Sequence, residues 1–203
     1  MKERGFFLAA AVFLGATAVG TAIDGAPPRP AVFRAGYRVL EADFHAHTRF
    51  SDGFLSPLDV VLQARRRGLD ALAVTEHNLA FPGEMARWFS RAIGGPTILV
   101  GEEITTNRYH LIAVGLRERV HAGDPLRETI AAVHAQGGVA IAAHPVTPFH
   151  ARFETALDVL DGAEVMHPLA YAAAQGDGAA RAGWSWTSMR DFYLAARASG
   201  HPL

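Results

Sequence analysis

The sequence contains no cysteine. Disulfides, thiolate metal sites, iron–sulfur clusters, cysteine nucleophiles and lipid attachment through cysteine are therefore excluded, and any metal must be held by His, Asp and Glu. Charge is also sparse. Fewer than a fifth of the residues are charged and the formal net charge is -1, which leaves no basic surface dedicated to nucleic acid and no acidic tail. Nor do the serines show the strained strand-to-helix pattern of a nucleophilic serine. What the chain has in quantity is apolar residues, half of its 203, enough for one folded domain with a real core.

The first stretch stands apart from that domain. Lys2 and Arg4 precede an apolar run from Phe6 to Ile23, with Ala16, Ala18, Gly20 and Ala22 crowding its far end. Residues 1–23 read as a secretory signal peptide cleaved near Ala18 or Ala22, or as a membrane anchor, since about 20 apolar residues cross a bilayer. The weakly apolar Gly15, Thr17, Gly20 and Thr21 favour the cleaved form. Residues 24–32 hold Pro27, Pro28 and Pro30 and read as an extended linker, leaving 33–203 as the domain. The expected location is exported, periplasmic or extracellular, with a possible membrane tether.

Within the domain, alternation predicts a strand at Tyr37 to Glu41. A helix starts at Ser56-Pro57 and ends near Gly68, and a buried strand follows at Asp70 to Thr75. Pro82 to Ile93 is expected as a helix with Met85, Trp88 and Phe89 inward, and Thr97 to Val100 as a strand running into Gly101-Glu102-Glu103. After a short turn around Asn107 comes the strand His110 to Val114. Further on are a helix at Pro125 to Gln136, a strand at Val139 to Ala143, a helix at Glu154 to Leu160, a strand at Ala163 to Met166, a loop at Ala172 to Gly183 and a helix at Thr187 to Ala198. Strands alternating with helices imply a mostly parallel sheet, closed or nearly closed into a barrel.

The polar residues fall in one pattern. His45 and His47, two apart on one strand face, are followed by Asp52 from the loop beyond, a mixture of nitrogen and oxygen donors that suits Zn, Mn or Fe. Glu76/His77, Glu102/Glu103 and His144 lie at or just past other strand ends, and His110 opens its strand. In a parallel barrel those ends form the rim where active sites are built. Chance histidines on a surface loop would explain one such cluster but account poorly for four.

These motifs resemble those of the PHP family, the polymerase and histidinol phosphatase domain. The resemblance lies in HAHT and SDG (His45 to Gly53), VTEHN (Val74 to Asn78), GEEIT (Gly101 to Thr105), His110, AHP (Ala143 to Pro145) and Glu164, and runs from about Tyr37 to the C-terminus. It implies an α/β fold, a distorted (βα)7 barrel, with two or three divalent ions. His45 and His47 would hold the first, Asp52 and His77 the second, His110 and His144 the third, with Glu103 bridging the first and third. The family closes its site with an Asp-x-His. This chain stops at Ser199 to Leu203 before any such motif, so the last C-terminal segment is expected to be missing.

The implied activity is metal-dependent hydrolysis of a phosphomonoester or phosphodiester, with a metal-bound hydroxide as the attacking group and Asp52, His77 and Glu103 as the catalytic residues. The expected partner is a small phosphorylated substrate. Arg49 and Arg108 are candidate phosphate contacts, and His167 a substrate contact. Glu76 and Glu102 are expected to orient ligating imidazoles, and Trp184 and Trp186 to cover the pocket or pack in the core. Two other readings stay open: an inactive metal-binding domain, and a metal hydrolase acting on a non-phosphate bond such as an amide.

Overall fold

Ser56 shows how directly the sequence sets its elements. Its side chain caps the backbone N–H of Asp59 while the Asp59 carboxylate takes the Ser56 N–H, a reciprocal cap with Pro57 in the first helical position. The structure, a computed structural model, describes residues 2–23, 30–122, 125–167 and 186–200. In chain order the elements are α1 (Lys2–Ile23), β1 (Val32–Arg34), β2 (Tyr37–Val39), β3 (Ala42–Ala46), α2 (Pro57–Arg66), β4 (Ala71–Val74), α3 (Phe81–Ile93) and β5 (Thr97–Thr105). Then follow β6 (His110–Val114), α4 (Leu126–Ala135), β7 (Val139–Ala142), α5 (Thr147–Glu154), β8 (Gly162–Ala163) and α6 (Trp186–Ala198).

β3 to β8 form one six-stranded sheet in chain order, while β1 and β2 make a separate antiparallel hairpin. The strand expected at Tyr37 to Glu41 is thus displaced. Ala35 and Gly36 both take positive φ, the tight turn that folds Tyr37–Val39 back on Val32–Arg34, so the sheet strand begins only at Ala42 and carries His45 within it. Pairing is parallel for β3-β4-β5 and for β7-β8, but β6 runs antiparallel to both of its neighbours. The reason is the connection. Thr106 to Tyr109 is a hydrogen-bonded turn, too short for the dozen or so residues that a parallel crossover needs. Reversal puts the first residue of β6, His110, at the rim where the other strands end.

Further boundaries shift for similar reasons. β5 continues to Thr105, so Glu102 and Glu103 lie within a strand and not beyond it. The helix expected at Glu154 to Leu160 is α5, seven residues earlier at its start, and β8 is shorter than the expected Ala163 to Met166. α3 turns its small residues inward. Pro82, Gly83, Ala86 and Ser90 are buried, whereas Met85 and Trp88, expected inside, are exposed. A Cβ on Gly83 would sit 3.3 Å from the Val100 Cα, so the helix lies too close to β5 for large side chains at the contact. The loop expected at Ala172 to Gly183, Trp184, His201 and the closing residues fall outside the described residues.

Alternation along the strands divides the core. On the outer face, Ile104, Leu111, Ala113, Ala140 and Ala142 pack against Leu126, Ile130, Val133 and Phe153. A second outer cluster joins Val60, Val61, Leu72, Val74, Ala86 and Ile98. The inner face holds a small apolar floor of Ala73, Ile112, Val114 and Ala143 with Leu99 and Ile141. The sheet curls around that face into a half-barrel. β3 and β8 stand at opposite ends of the strand order, yet His45 on β3 donates from Nδ1 to Glu164 Oε1, just past β8, over 2.9 Å.

Candidate metal centre

Glu103 is the hub. Neighbouring strand residues face opposite ways, so Glu103 points inward while Glu102 points out. Gly101, two residues earlier on the inner face, clears the approach: a Cβ there would lie 2.5 Å from the Ala113 carbonyl oxygen. Around the Glu103 carboxylate stand five imidazoles. Oε2 is 3.3 Å from His45 Nε2, 3.1 Å from His47 Nε2 and 3.0 Å from His77 Nδ1. Oε1 is 2.7 Å from His110 Nδ1 and 2.9 Å from His144 Nε2. Asp52 completes the group, with Oδ1 3.1 Å from His47 Nδ1 and Oδ2 3.5 Å from His77 Nε2. All seven residues expected as ligands therefore come together, from β3, β5, β6 and the segments after β3, β4 and β7.

Donor atoms within 4.8 Å of one another fall into three sets: His45, Glu103 and His144; His47, Asp52 and His77; His77, Glu103 and His110. The half-barrel curl also brings His144 to His45 across the inside, while His45 Nε2 stays 2.9 Å from His47 Nε2.

Most of these imidazoles are held from behind. Glu164 accepts from His45 Nδ1 and also from the His144 backbone N–H, which fixes His144 at a φ of 26°, a conformation rarely adopted by a side-chain-bearing residue. His47 Nδ1 is 3.0 Å from Ser51 Oγ, and Ser51 in turn donates to Glu76, which is wholly buried and also accepts from Thr48 N–H at 2.7 Å. Glu76 thus acts on His47 through Ser51. His77 Nδ1 is 2.6 Å from Thr105 Oγ1, and Asn78 pairs with both the N–H and the carbonyl of Thr105. The His110 ring stacks on Phe149, centroids 5.2 Å apart. Gly53 closes the Asp52 loop, since a Cβ there would come 2.4 Å from the His47 carbonyl oxygen.

Glu102 does not orient an imidazole. On the outer face it accepts from the Val120 N–H and stands 3.8 Å from Arg119, and burial pushes its carboxyl pKa up. Arg49 and Arg108 are exposed on the loops beside His47 and His110. The His167 ring lies 5.7 Å from that of His45 and 5.2 Å from that of His144, and burial lowers its pKa. Ser51, Thr105 and Glu164 enter as supporting groups. All three were visible within the motifs, but as neighbours of ligands and without a partner.

The electrostatics suit a cation. Imidazoles, not Arg or Lys, surround Glu103, and they outweigh the effect of its burial to hold its carboxyl far below the usual range. Burial acts to lower the His45 pKa, but Glu103 and Glu164 outweigh it and raise it to about 10. With each Nδ1 engaged behind, His45 Nε2 and His47 Nε2 face one another 2.9 Å apart. Histidine nitrogens and carboxylate oxygens gathered this closely form a donor set that could hold metal ions.

Similar proteins extend this reading. The chain is 30% identical over 141 residues to an uncharacterized protein of Methanocaldococcus jannaschii, covering 63% of this chain and 82% of that protein. It is 31% identical over 126 residues to the error-prone DNA polymerase of Mycobacterium tuberculosis, where it spans only 11% of the length. Among solved structures, it superposes with a TM-score of 0.56 on a two-domain Bacteroides vulgatus protein containing a predicted PHP-like metal-dependent phosphoesterase. That match is 23% identical and covers 70% of this chain and 49% of that one. The fold is that of PHP-like proteins. No family model matches it. A Bifidobacterium adolescentis protein assigned as a metal-dependent phosphoesterase shares the PHP fold at a TM-score of 0.54 and 21% identity, over 81% of this chain and 85% of that one. So does an amidohydrolase from Chromobacterium violaceum with bound sulfate, at 0.53 and 17%, over 79% and 84%.

Proposed function

We propose that this PHP-like domain hydrolyses a small phosphomonoester or phosphodiester with two or three divalent ions, Zn, Mn or Fe, within a distorted (βα)7 barrel. The observation that carries the reading is the convergence of His45, His47, His77, His110 and His144 on the buried carboxylate of Glu103, with Asp52 at the edge. Bound there, divalent ions would supply an activated water and neutralise charge on the phosphoryl oxygens. The protein's own groups do the rest. Glu103, with Oε2 toward His45, His47 and His77 and Oε1 toward His110 and His144, would help hold the ions. Asp52, the most exposed of the donors and 3.5 Å from His77 through Oδ2, would accept the proton of the attacking water. Arg49, Arg108 and His167 contact the substrate from the rim. Residues 1–23 serve export, as a leader or anchor.

His45→Ala or Glu103→Ala in the purified domain tests this. Metal content by elemental analysis should fall below that of the wild type, hydrolysis of p-nitrophenyl and bis(p-nitrophenyl) phosphate with Mn should be lost, and circular dichroism should be unchanged. Full activity in either variant would sink the site assignment. The Chromobacterium violaceum neighbour keeps an amide substrate as a second reading. Amidase turnover without phosphoesterase turnover in the same preparation would favour it.

A further inference from the structure

We propose that the mouth of this site is an aromatic subsite, selecting phosphoesters whose alcohol is flat and apolar, an aryl or heterocyclic group. The inference rests on the phosphoesterase reading and adds its substrate class.

Exposure of the donors shows where a substrate must enter. The Glu103 and His144 side chains are 1% and 5% exposed, whereas those of His77 and Asp52 are 30% and 68%. The open side of the cluster is therefore the His47–Asp52–His77 side.

Aromatic residues stand at that opening because the chain places them there. Phe50 lies between His47 and Asp52 on the loop that Glu76 pins, two residues from Asp52 and so within about 7 Å of it along the backbone. Phe81 opens α3 four residues after His77. The two rings meet edge to face, centroids 4.9 Å apart and planes at 77°, and both remain substantially exposed. Phe54, on the same loop as Asp52, is 92% exposed. From Phe81 the apolar surface continues down α3 through Met85 and Trp88, at i+4 and i+7 on one helix face.

Scattered exposed apolar side chains need no explanation, but a paired set of exposed rings on the segments that carry Asp52 and His77 does. A phosphoryl group at the cluster would place its ester substituent against Phe50 and Phe81, whose paired rings offer one edge and one face to a flat group. A sugar or glycerol substituent would leave its hydroxyls against hydrocarbon there. A protein docked on the same face would cover the opening, so the rings' place on the donor segments favours a small ligand.

The test is calorimetric titration of the Mn-loaded protein with phenylphosphonate and with methylphosphonate, neither of which is an ester that can be hydrolysed. The wild type should prefer the phenyl compound by roughly three- to tenfold, the size of one ring contact. In the Phe50→Ala/Phe81→Ala double variant the ratio should fall to near one. These side chains are exposed, so the fold should survive, and circular dichroism checks this. Equal binding of both compounds by the wild type would overturn the subsite and leave the phosphoesterase reading standing. So would an undiminished ratio in the double variant, and if that variant instead lost self-association in sedimentation, the face would be a protein interface. Binding of neither compound would overturn both readings.

Discussion

Glu102 and Glu103 are adjacent, chemically identical and both buried, yet their surroundings pull their carboxyl groups in opposite directions. Imidazoles keep Glu103 ionised. Glu102 has one backbone donor and a distant Arg119, so burial dominates. A carboxyl whose folded pKa lies above its ordinary 4.5 contributes stability that is fully present below that value and is lost as pH rises through the folded pKa. Glu102→Gln keeps the acceptor for Val120 and cannot ionise. Its stability relative to wild type should therefore improve as pH rises above the ordinary 4.5 in chemical denaturation. A constant difference would show that Glu102 does not titrate there. Ser51 makes the second prediction at this scale. It links buried Glu76 to His47, so Ser51→Ala should weaken metal binding about tenfold or more, as loss of a group behind a ligating imidazole does. Competition with a chelating dye measures this, and unchanged affinity would mean that Asp52 alone orients the ring.

The elements themselves were largely legible in the sequence, because local signals fixed them. Ser56-Pro57 and Asp59 start α2, Gly94 in the left-handed conformation ends α3, and the apolar runs of β4, β6 and β7 fall where expected. What was not legible depended on partners distant in sequence. Period alone did not reveal that β6 is reversed, although the four-residue turn after Thr105 would have sufficed had its length been weighed against a crossover. Nor could periodicity show which stripe of α3 is inward. Hydrophobicity favoured Met85 and Trp88, but the closeness of helix to sheet selected Gly83, Ala86 and Ser90. The site residues were legible as a set because motifs mark them, whereas their grouping into donor sets required the curl. Gly101 tests how tight the sheet is. Gly101→Val should cost about 1–3 kcal/mol or more in urea denaturation, since its side chain would enter the Ala113 backbone. A neutral result would mean that β5 and β6 can separate there without penalty.

At the scale of the whole molecule, the described fold is a curled sheet with helices outside and a polar rim inside, and no single segment supplies that rim. The contact between His45 and Glu164 joins residues 119 apart in sequence. Closing so long a loop costs chain entropy before any contact rewards it, which places this closure among the late events of folding. Anything that grips both edges of the sheet therefore acts after the folding barrier has been crossed. A divalent ion shared by His45, Glu103 and His144 should leave the refolding rate nearly unchanged and slow unfolding, by up to about a hundredfold when the ion stands at 100 times its dissociation constant. Stopped-flow unfolding in Mn and in EDTA would read this directly, and a metal effect on the refolding arm instead would mean that the two edges meet early. In the expected case the domain's lifetime, rather than its speed of assembly, would follow the supply of metal around it.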